Sequence, residues 1–256
     1  KYTMKKVDYP PGPDELQSVE SKKEYVRTEI LPRRPYIYMG HISFLDFTEL
    51  GLKQPLYIDI VRDPVERWVS RFYFNRQRAD SFIRNPYNFT RDEMKQSLDD
   101  CLQIWINRTG CTGRSVKATA ECLQTRPYEG CKAGYIISMY PEWFSGQYIN
   151  SSLVSVKRAK TNIERYYTFI GITEHFEETV KAMETILPSF TDELSEAYET
   201  LKSKHRNVGT LKSSPRNGTK DIMRELLMDD YELYGFIRQR FYIHLNCLGI
   251  NMTKHV

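Results

Sequence analysis

The run from Leu56 to Val61, with the residues directly after it, constrains the fold more than any other part of this chain. It is rich in β-branched residues and almost continuously apolar, a pattern that predicts a strand covered on both faces of an α/β sheet. The run stops at Arg62-Asp63-Pro64. Pro64 disfavours α geometry at Asp63 and suits a first helical turn, so we expect a helix from Val65 to Phe74. Because ligands of open α/β sheets bind at such strand ends, Arg62 is a candidate binding residue.

A second apolar run, Tyr36 to Met39, lies upstream and ends at Gly40-His41. We interpret it as another buried strand that delivers polar groups to the same place. An imidazole with a pKa near ~6.5 is partly neutral near neutral pH and can accept a proton, which makes His41 a candidate general base. A core or capping histidine is the other interpretation of the residues alone.

The predicted helix after Pro64 carries a candidate site for a dianion. An arginine fork together with a hydroxyl is a common way to hold a phosphate through charge-assisted hydrogen bonds, and Arg62 and Ser70 supply both groups. Further arginines nearby in the sequence are Arg67, Arg71, Arg76 and Arg78. The alternative is that Arg62 pairs with Asp63 or Glu66 and that the other arginines face water.

Length and composition favour one globular domain with a mildly basic surface. The 256 residues are 40% hydrophobic and 13% aromatic, with a net charge of +4, so we expect a single domain over residues 1–256 with an ample core. This charge fits an acidic polymer as partner. It fits nucleic acid equally well, but no nucleic-acid motif accompanies it. The sequence contains neither an apolar run of roughly 18 residues nor a signal-peptide pattern.

Hydrophobic spacing predicts the remaining elements. We expect strands from Tyr2 to Val7 and from Thr168 to Ile172. The predicted helices are about Asp14 to Glu29, Arg91 to Trp105, Ser152 to Tyr166, His175 to Leu187, Asp192 to Lys202 and Thr219 to Asn246. The last helix has an apolar stripe that we interpret as core, formed by Ile222, Leu226, Tyr234, Ile237 and Phe241.

Sequons and cysteines favour the secretory lumen over the cytosol. Asn-x-Ser/Thr acceptors occur at Asn88, Asn107, Asn150, Asn217 and Asn251. The clustered cysteines are Cys101, Cys111, Cys122 and Cys131, and they permit three pairings. A zinc site is the rival interpretation, but there is no Cys-x-x-Cys spacing or neighbouring histidine, so we predict two disulfides. Cys247 lies in an apolar helical context and is predicted to be a buried, reduced thiol.

Two blocks of the chain resemble the 2-O-sulfotransferases of glycosaminoglycans, which include heparan sulfate and uronyl enzymes. The blocks run from Gly40 to Phe47 and from Tyr57 to Phe74, with a weaker match from Tyr167 to Glu174. The resemblance extends thinly to about Leu248. It implies a P-loop-kinase-like α/β fold, with a central parallel sheet flanked by helices. It also implies metal-independent transfer of sulfate from 3′-phosphoadenosine 5′-phosphosulfate (PAPS) to a 2-hydroxyl of a uronic-acid-containing glycan or glycoprotein.

The same resemblance implies a Golgi type II membrane protein whose anchor lies upstream of this segment, and we also expect a homo-oligomer. It makes His41 the base, and it places Arg62 and Ser70 on the 3′-phosphate of PAPS. The basic segment Lys202 to Lys212 corresponds to a loop that closes over nucleotide and sugar in the relatives, although most basic loops are simply solvated. Its Thr210 and Lys212 are candidates for nucleotide binding. By analogy, the residues that would bind the acidic glycan are Arg76, Arg78, Arg84 and Arg206.

Among the cysteine pairings, a bridge in the relatives favours the nested one, in which Cys101–Cys131 encloses Cys111–Cys122. The chain also departs from the family pattern. Met39 stands where heparan-type relatives have a second histidine, which bears on the substrate, and Ser145 stands where a relative places a cysteine.

The largest departure concerns the phosphate loop that binds the 5′-phosphosulfate of the donor. The 256 residues contain no Gly- and Ser/Thr-rich loop followed by a helix, and the family places that loop upstream of where Lys1 begins. We therefore expect this catalytic domain to be incomplete at its N-terminus. A non-catalytic glycan-binding relative is the alternative function. A nucleotide kinase is disfavoured, because no magnesium-binding carboxylate is paired with a phosphate loop.

Overall fold

The computed structural model describes residues 3–7, 16, 18–33, 36–40, 42–80, 89–126, 139–147, 152–191, 193–202 and 212–252. The chain falls into two compact units, each built from two separate stretches of sequence. The first unit comprises Lys1–Asp59 and Met139–Ile170, and the second comprises Ile60–Ser138 and Gly171–Val256. The expectation of a single domain stays a prediction.

The described residues are mostly helical. The strands are β1 (Thr3–Val7), β2 (Tyr36–Gly40), β3 (Tyr57–Val61) and β4 (Tyr167–Ile172). The α-helices are α1 (Val19–Tyr25), α2 (Pro64–Asp80), α3 (Arg91–Lys95), α4 (Leu98–Thr109), α5 (Val116–Gln124), α6 (Tyr140–Ser145), α7 (Ser152–Tyr166), α8 (Phe176–Ile186), α9 (Pro188–Thr191), α10 (Leu194–Lys202), α11 (Asn217–Leu226) and α12 (Met228–Cys247). Within these ranges, no helix has both the length and the apolar composition needed to cross a bilayer.

The predicted strands form two small sheets. β1 pairs with β2 in parallel, with Thr3 opposite Tyr36 and Val7 opposite Gly40. β3 and β4 form the second two-stranded sheet. This mixture of helices and a small parallel sheet is consistent with the predicted α/β class, whereas the P-loop-kinase-like detail stays a prediction.

The expected burial of β3 on both faces is wrong for the described residues. Val61 is buried, but Ile60 is 39% exposed, and Leu56, directly before the strand, is 69% exposed. A continuous apolar run is typical of a strand in the middle of a wide sheet, with neighbours on both sides and helices on both faces. In the part of the chain that the structure describes, β3 has β4 as its one neighbour.

Phe44 is the centre of an aromatic cluster in the first unit. Its ring centroid lies 5.3 Å from the centroids of both Tyr57 and Tyr166. The Phe44 amide donates a 2.8 Å hydrogen bond to the carbonyl of Trp143. Gly146 ends α6 at a φ of 67°, and a Cβ there would lie 2.1 Å from the Phe44 carbonyl oxygen, so only glycine fits. These contacts fix the segment 42–47, which follows His41, against α6.

Ser145, at the position where the family resemblance predicts a cysteine, is buried at the end of α6. Its hydroxyl donates toward the carbonyls of Glu142 and Gln147, at 3.2 and 3.0 Å. The side-chain amide of buried Asn162 on α7 donates to the carbonyls of Phe144 and Ser145, at 2.9 and 3.2 Å. Hydrogen bonds from Asn162 therefore join α7 to the end of α6.

The core of the second unit is built on one face of α2. The predicted helix from Val65 to Phe74 is confirmed and extends over Pro64–Asp80. Its buried apolar residues recur every three or four positions, as expected for a helix that packs on one side. The cluster on this face comprises Val65, Trp68, Val69, Phe72, Tyr73, Leu98, Cys101, Met223 and Leu227.

Two predicted helices are each divided in the structure. The helix predicted from Arg91 to Trp105 breaks at Gln96, whose ψ of 133° is extended, and Ser97 caps α4 by accepting the amide of Asp100. The helix predicted from Thr219 to Asn246 breaks at Leu227, which is fully buried. The predicted core residues Tyr234, Ile237 and Phe241 are confirmed on α12.

The cysteine segment contains both a helix and a disulfide. Cys111 is bonded to Cys122, the inner bridge of the predicted nested pairing, and Cys122 lies on α5, a helix that the sequence did not reveal. Cys101 is also disulfide-bonded, while Cys131 lies outside the described residues, so the outer bridge stays a prediction. Cys247 is free, as expected, but the prediction of its burial is wrong, because it lies at the end of α12 on an exposed position.

Candidate anion-binding site

Asp63 fixes the turn that joins β3 to α2. Its side-chain Oδ1 accepts the Glu66 amide at 3.0 Å, and its carbonyl accepts the Arg67 amide at 2.8 Å, so Asp63 caps the helix. Pro64 occupies the first helical position, where its missing N–H costs nothing. The predicted change from strand to helix is therefore confirmed, with Arg62 directly before the cap.

Arg62, Glu66 and Ser70 follow one another at four-residue intervals; Glu66 and Ser70 lie along one face at the start of α2, and Arg62 directly precedes the cap. Arg62 Nη2 lies 3.8 Å from Glu66 Oε2, and the Arg62 side chain is 32% exposed. Ser70 is half-buried, and its hydroxyl has no hydrogen-bond partner within the described ranges. The predicted alternative pairing of Arg62 with Glu66 is present, and Ser70 lies one helical turn beyond Glu66; joint binding of a phosphate by Arg62 and Ser70 stays a prediction.

Lys220 adds a second cation to this face. Its ammonium lies 3.3 Å from Glu66 Oε1, and its side chain is 22% exposed. Lys220 comes from α11, more than a hundred residues further along the chain, and no sequence pattern indicated it. The candidate anion site is defined here as Arg62, Ser70 and Lys220, with Glu66 among them.

Two tyrosines on α12 contact the turn that carries Arg62. The Tyr231 hydroxyl donates to both oxygens of the Asp63 carboxylate, each at 3.0 Å. The Tyr234 hydroxyl donates to Glu174 Oε2 at 3.2 Å. Glu174 Oε1 in turn accepts the backbone amide of Asp63 at 2.9 Å. The residue after Arg62 is therefore bound through both its side chain and its backbone.

Both tyrosine hydroxyls remain protonated donors. Burial, the largest cause, raises the pKa of Tyr231 well above its usual value, and the adjacent Asp63 carboxylate raises this pKa further. Burial followed by the charge of Glu174 does the same to the pKa of Tyr234. The hydrogen bonds from these two side chains therefore do not depend on pH in the physiological range.

The structure does not support the prediction that Arg76 contacts a polysaccharide. Arg76 is 1% exposed, and its guanidinium carbon lies 3.4 Å from the centre of the Phe72 ring. Its Nε donates to the Glu93 carbonyl at 3.0 Å and its Nη1 to the Phe72 carbonyl at 3.3 Å. Burial lowers the pKa of Arg76 to about 10. The guanidinium serves the packing between α2 and α3 and is not presented to a polymer.

Of the other predicted site residues, several lie outside the described residues: His41, Arg84, Arg206, Thr210 and Cys131. Arg78 belongs to α2, and nothing further is described for its side chain. Lys212 is exposed. Their roles stay predictions.

The predicted glycosylation sites also fall partly inside and partly outside the described residues. Asn88 and Asn150 lie outside the described residues, whereas Asn107, Asn217 and Asn251 are exposed, as a glycan acceptor requires. The described residues contain no group of three or more His, Cys, Asp or Glu side chains placed to hold a metal ion.

Comparison with known proteins gives relatives over most of the chain. It is 28% identical over 244 residues to human heparan sulfate 2-O-sulfotransferase 1, which covers 88% of this chain and 59% of the relative. It is 25% identical over 246 residues to human uronyl 2-sulfotransferase, covering 91% of this chain and 54% of the relative. The chain thus spans between half and two thirds of the length of these relatives. No family model matches it.

Proposed function

Because this chain belongs to the family of the uronyl and heparan sulfate 2-O-sulfotransferases, we propose that it transfers sulfate from PAPS to a 2-hydroxyl of a uronic-acid-containing glycan. The observation that supports this most is the cluster of two cations and a hydroxyl around Glu66 at the start of α2. Arg62, which the family resemblance assigns to the phosphate, contacts Glu66; Ser70 follows Glu66 by one helical turn, and Lys220 adds a positive charge beside Glu66.

Arg62 and Ser70 bind the 3′-phosphate of the donor in this proposal. Arginine offers a planar fork of N–H groups that suits a phosphate dianion, and a serine hydroxyl donates one more hydrogen bond. The Arg62 side chain is one third exposed, so a ligand can reach it. Within the described ranges the Ser70 hydroxyl has no hydrogen bond that it would have to break in order to contact the phosphate. Lys220 adds long-range attraction for the same charge.

His41 is the general base in this proposal. The acceptor hydroxyl becomes a competent nucleophile only if its proton leaves as the new oxygen–sulfur bond forms, and neutral imidazole can accept that proton. The bond between sulfur and the phosphate oxygen of PAPS then breaks, releasing 3′-phosphoadenosine 5′-phosphate (PAP). Thr210 and Lys212 assist in binding the nucleotide, and Arg78, Arg84 and Arg206 bind the acidic glycan. A Golgi location, an upstream membrane anchor and a homo-oligomer complete the proposal.

The decisive experiment measures PAP binding by calorimetry with the full-length protein, including whatever precedes Lys1. Arg62→Ala should weaken binding by about 1.5–3 kcal/mol, the range for a hydrogen bond to a charged group. Ser70→Ala should cost less, about 1 kcal/mol, because it removes a neutral donor. Arg114→Ala is the matched control, since Arg114 is an exposed arginine before α5, on no part of the candidate site.

Transfer of labelled sulfate from PAPS to a panel of uronate-containing glycans tests the reaction itself. A protein that binds these glycans but neither binds PAP nor transfers sulfate would be a non-catalytic glycan-binding relative. Equal PAP affinity in the Arg62→Ala variant and the wild type would leave Arg62 as an ion-pair partner of Glu66 alone.

A further inference from the structure

We infer that Tyr231 and Tyr234 are positioning residues for the nucleotide donor, because they hold the carboxylates of Asp63 and Glu174, which fix the residue directly after Arg62. The inference rests on the proposed function, since it concerns the same anion site. Neither tyrosine is placed to touch the donor in this scheme; each acts through Asp63 or Glu174.

The side chain of Asp63 is the first link. Its two oxygens receive the Tyr231 hydroxyl, and one of them also receives the Glu66 amide of the first helical turn. Asp63 therefore connects α12 to the N-terminus of α2 through a single carboxylate. Since Asp63 follows Arg62 directly, a shift of the Asp63 backbone would also move the point where the Arg62 side chain begins.

The backbone beside Arg62 is the second link. On one side, the Val61 carbonyl accepts the Thr173 hydroxyl at 2.9 Å. On the other side, the Asp63 amide donates to Glu174 Oε1. The consecutive residues Thr173 and Glu174 thus hold both chain neighbours of Arg62, and Tyr234 holds the remaining oxygen of Glu174.

The two tyrosines act together because they lie three residues apart on one face of α12. Their rings meet edge to face, with centroids 6.5 Å apart and an interplanar angle of 89°. This arrangement places one hydroxyl on each carboxylate. The long helix α12 therefore fixes the geometry of the short segment that joins β3 to α2. A binding side chain is held most precisely when a rigid element supports it in this way.

Neutral donors are suited to this position. Asp63 and Glu174 are carboxylates close to a site proposed to bind phosphate, and a lysine or arginine in place of either tyrosine would change the net charge beside that site. A phenol satisfies the carboxylate oxygens without adding charge. Because burial raises the pKa of both hydroxyls, they remain donors to these carboxylates near neutral pH.

Tyr231→Phe and Tyr234→Phe test the inference in the full-length protein, with PAP affinity as the first measurement. Each change removes one hydroxyl and keeps the ring. We expect PAP binding to weaken about fivefold or more in Tyr231→Phe, which loses both bonds to Asp63, and by a smaller factor in Tyr234→Phe. Tyr242→Phe is the matched control, because Tyr242 is on the same helix and bonds His175 Nε2 at 3.1 Å instead of the turn.

Amide hydrogen exchange at Asp63 is the second measurement. If the tyrosines only stabilised the fold, their loss would not speed exchange at Asp63 more than exchange elsewhere. In Tyr234→Phe, the Glu174 carboxylate loses its anchor, so the Asp63 amide should exchange about tenfold faster while amides in the middle of α12 keep their rates. If Tyr231→Phe does not fold, Tyr234→Phe decides alone.

The outcomes separate the inference from the proposed function. If the wild type binds PAP and both variants bind it equally well, or if the Asp63 amide exchanges at the wild-type rate in Tyr234→Phe, the inference is overturned and the proposed function stands. If the wild type does not bind PAP, the proposed function fails, and the positioning role fails with it.

Discussion

The ammonium of Lys220 lies 3.3 Å from Glu66 Oε1, on the same carboxylate whose Oε2 lies 3.8 Å from Arg62 Nη2. Both cations therefore contact Glu66, and the contact with Lys220 is the shorter of the two. A carboxylate next to Arg62 competes with phosphate for the guanidinium. By holding Glu66, Lys220 limits that competition without removing the carboxylate.

Glu66→Gln should therefore tighten binding of PAP. The substitution removes the competing charge and keeps a side chain of the same size, so we expect an increase in affinity of about two- to fivefold, matching ~0.4–1 kcal/mol for partly exposed charges. The gain should shrink at high salt, because screening weakens charge interactions near the surface. Calorimetric titration at two ionic strengths measures both effects.

Glu121→Gln on the exposed face of α5 is the control for a general change in charge. A similar gain in this variant would attribute the effect to net charge. A loss of affinity in Glu66→Gln would mean that Glu66 organises Arg62 for the ligand instead of competing with it.

Arg76→Leu should destabilise the protein and leave glycan binding unchanged. The substitution removes the donor to the Glu93 carbonyl and the cation stacked on Phe72, and we expect the free energy of unfolding to fall by about 2–4 kcal/mol. Urea denaturation measures the loss, with Arg114→Leu as the exposed control. A stable Arg76→Leu protein with weakened glycan affinity would restore the original assignment of Arg76 to the substrate.

The Cys111–Cys122 bridge should contribute measurably to stability. It closes a short loop, with a sequence separation of 11, and a loop of this size lowers the entropy of the unfolded chain by an amount worth roughly 2–3 kcal/mol. The double substitution Cys111→Ser and Cys122→Ser should lower the free energy of unfolding by that amount. Cys247→Ser, at an exposed free thiol, should have no effect, and equal losses in both proteins would contradict the expectation.

The sequence predicted the centre of the fold because the signals there are local. The run from Leu56 to Val61, in which Asp59 is the one charged residue, and Asp63-Pro64 shortly after it mark a strand, a cap and a helix start, and the structure confirms each of them. The divisions at Gln96 and Leu227 were missed because the apolar period continues across them. Ser97 and Asp100 did provide a capping signal that could have located the first division.

The sequence indicated Arg62 and Ser70 of the candidate site but not Lys220. Arg62 and Ser70 stand close together in the chain, so the sequence alone could suggest that they act together. Tyr231 is 168 residues from Asp63, and Glu66 meets Lys220 across 154 residues. No periodicity or motif encodes such a contact, because it arises from the packing of α11 and α12 against α2. Burial of Arg76 was missed for the same reason, since its partners are a ring and carbonyls that carry no charge pattern.

His41→Ala should separate turnover from binding. The proposed base acts only when the acceptor hydroxyl attacks sulfur, so its loss should lower kcat by roughly 10²-fold or more and leave PAP affinity nearly unchanged. Single-turnover transfer from labelled PAPS, alongside calorimetry, measures the two quantities on the same protein. His244→Ala on α12 is the control for loss of an imidazole elsewhere. Near wild-type transfer by the His41 variant would assign the proton to another group, whereas a parallel loss of PAP affinity would make His41 a residue that supports the site instead of reacting in it.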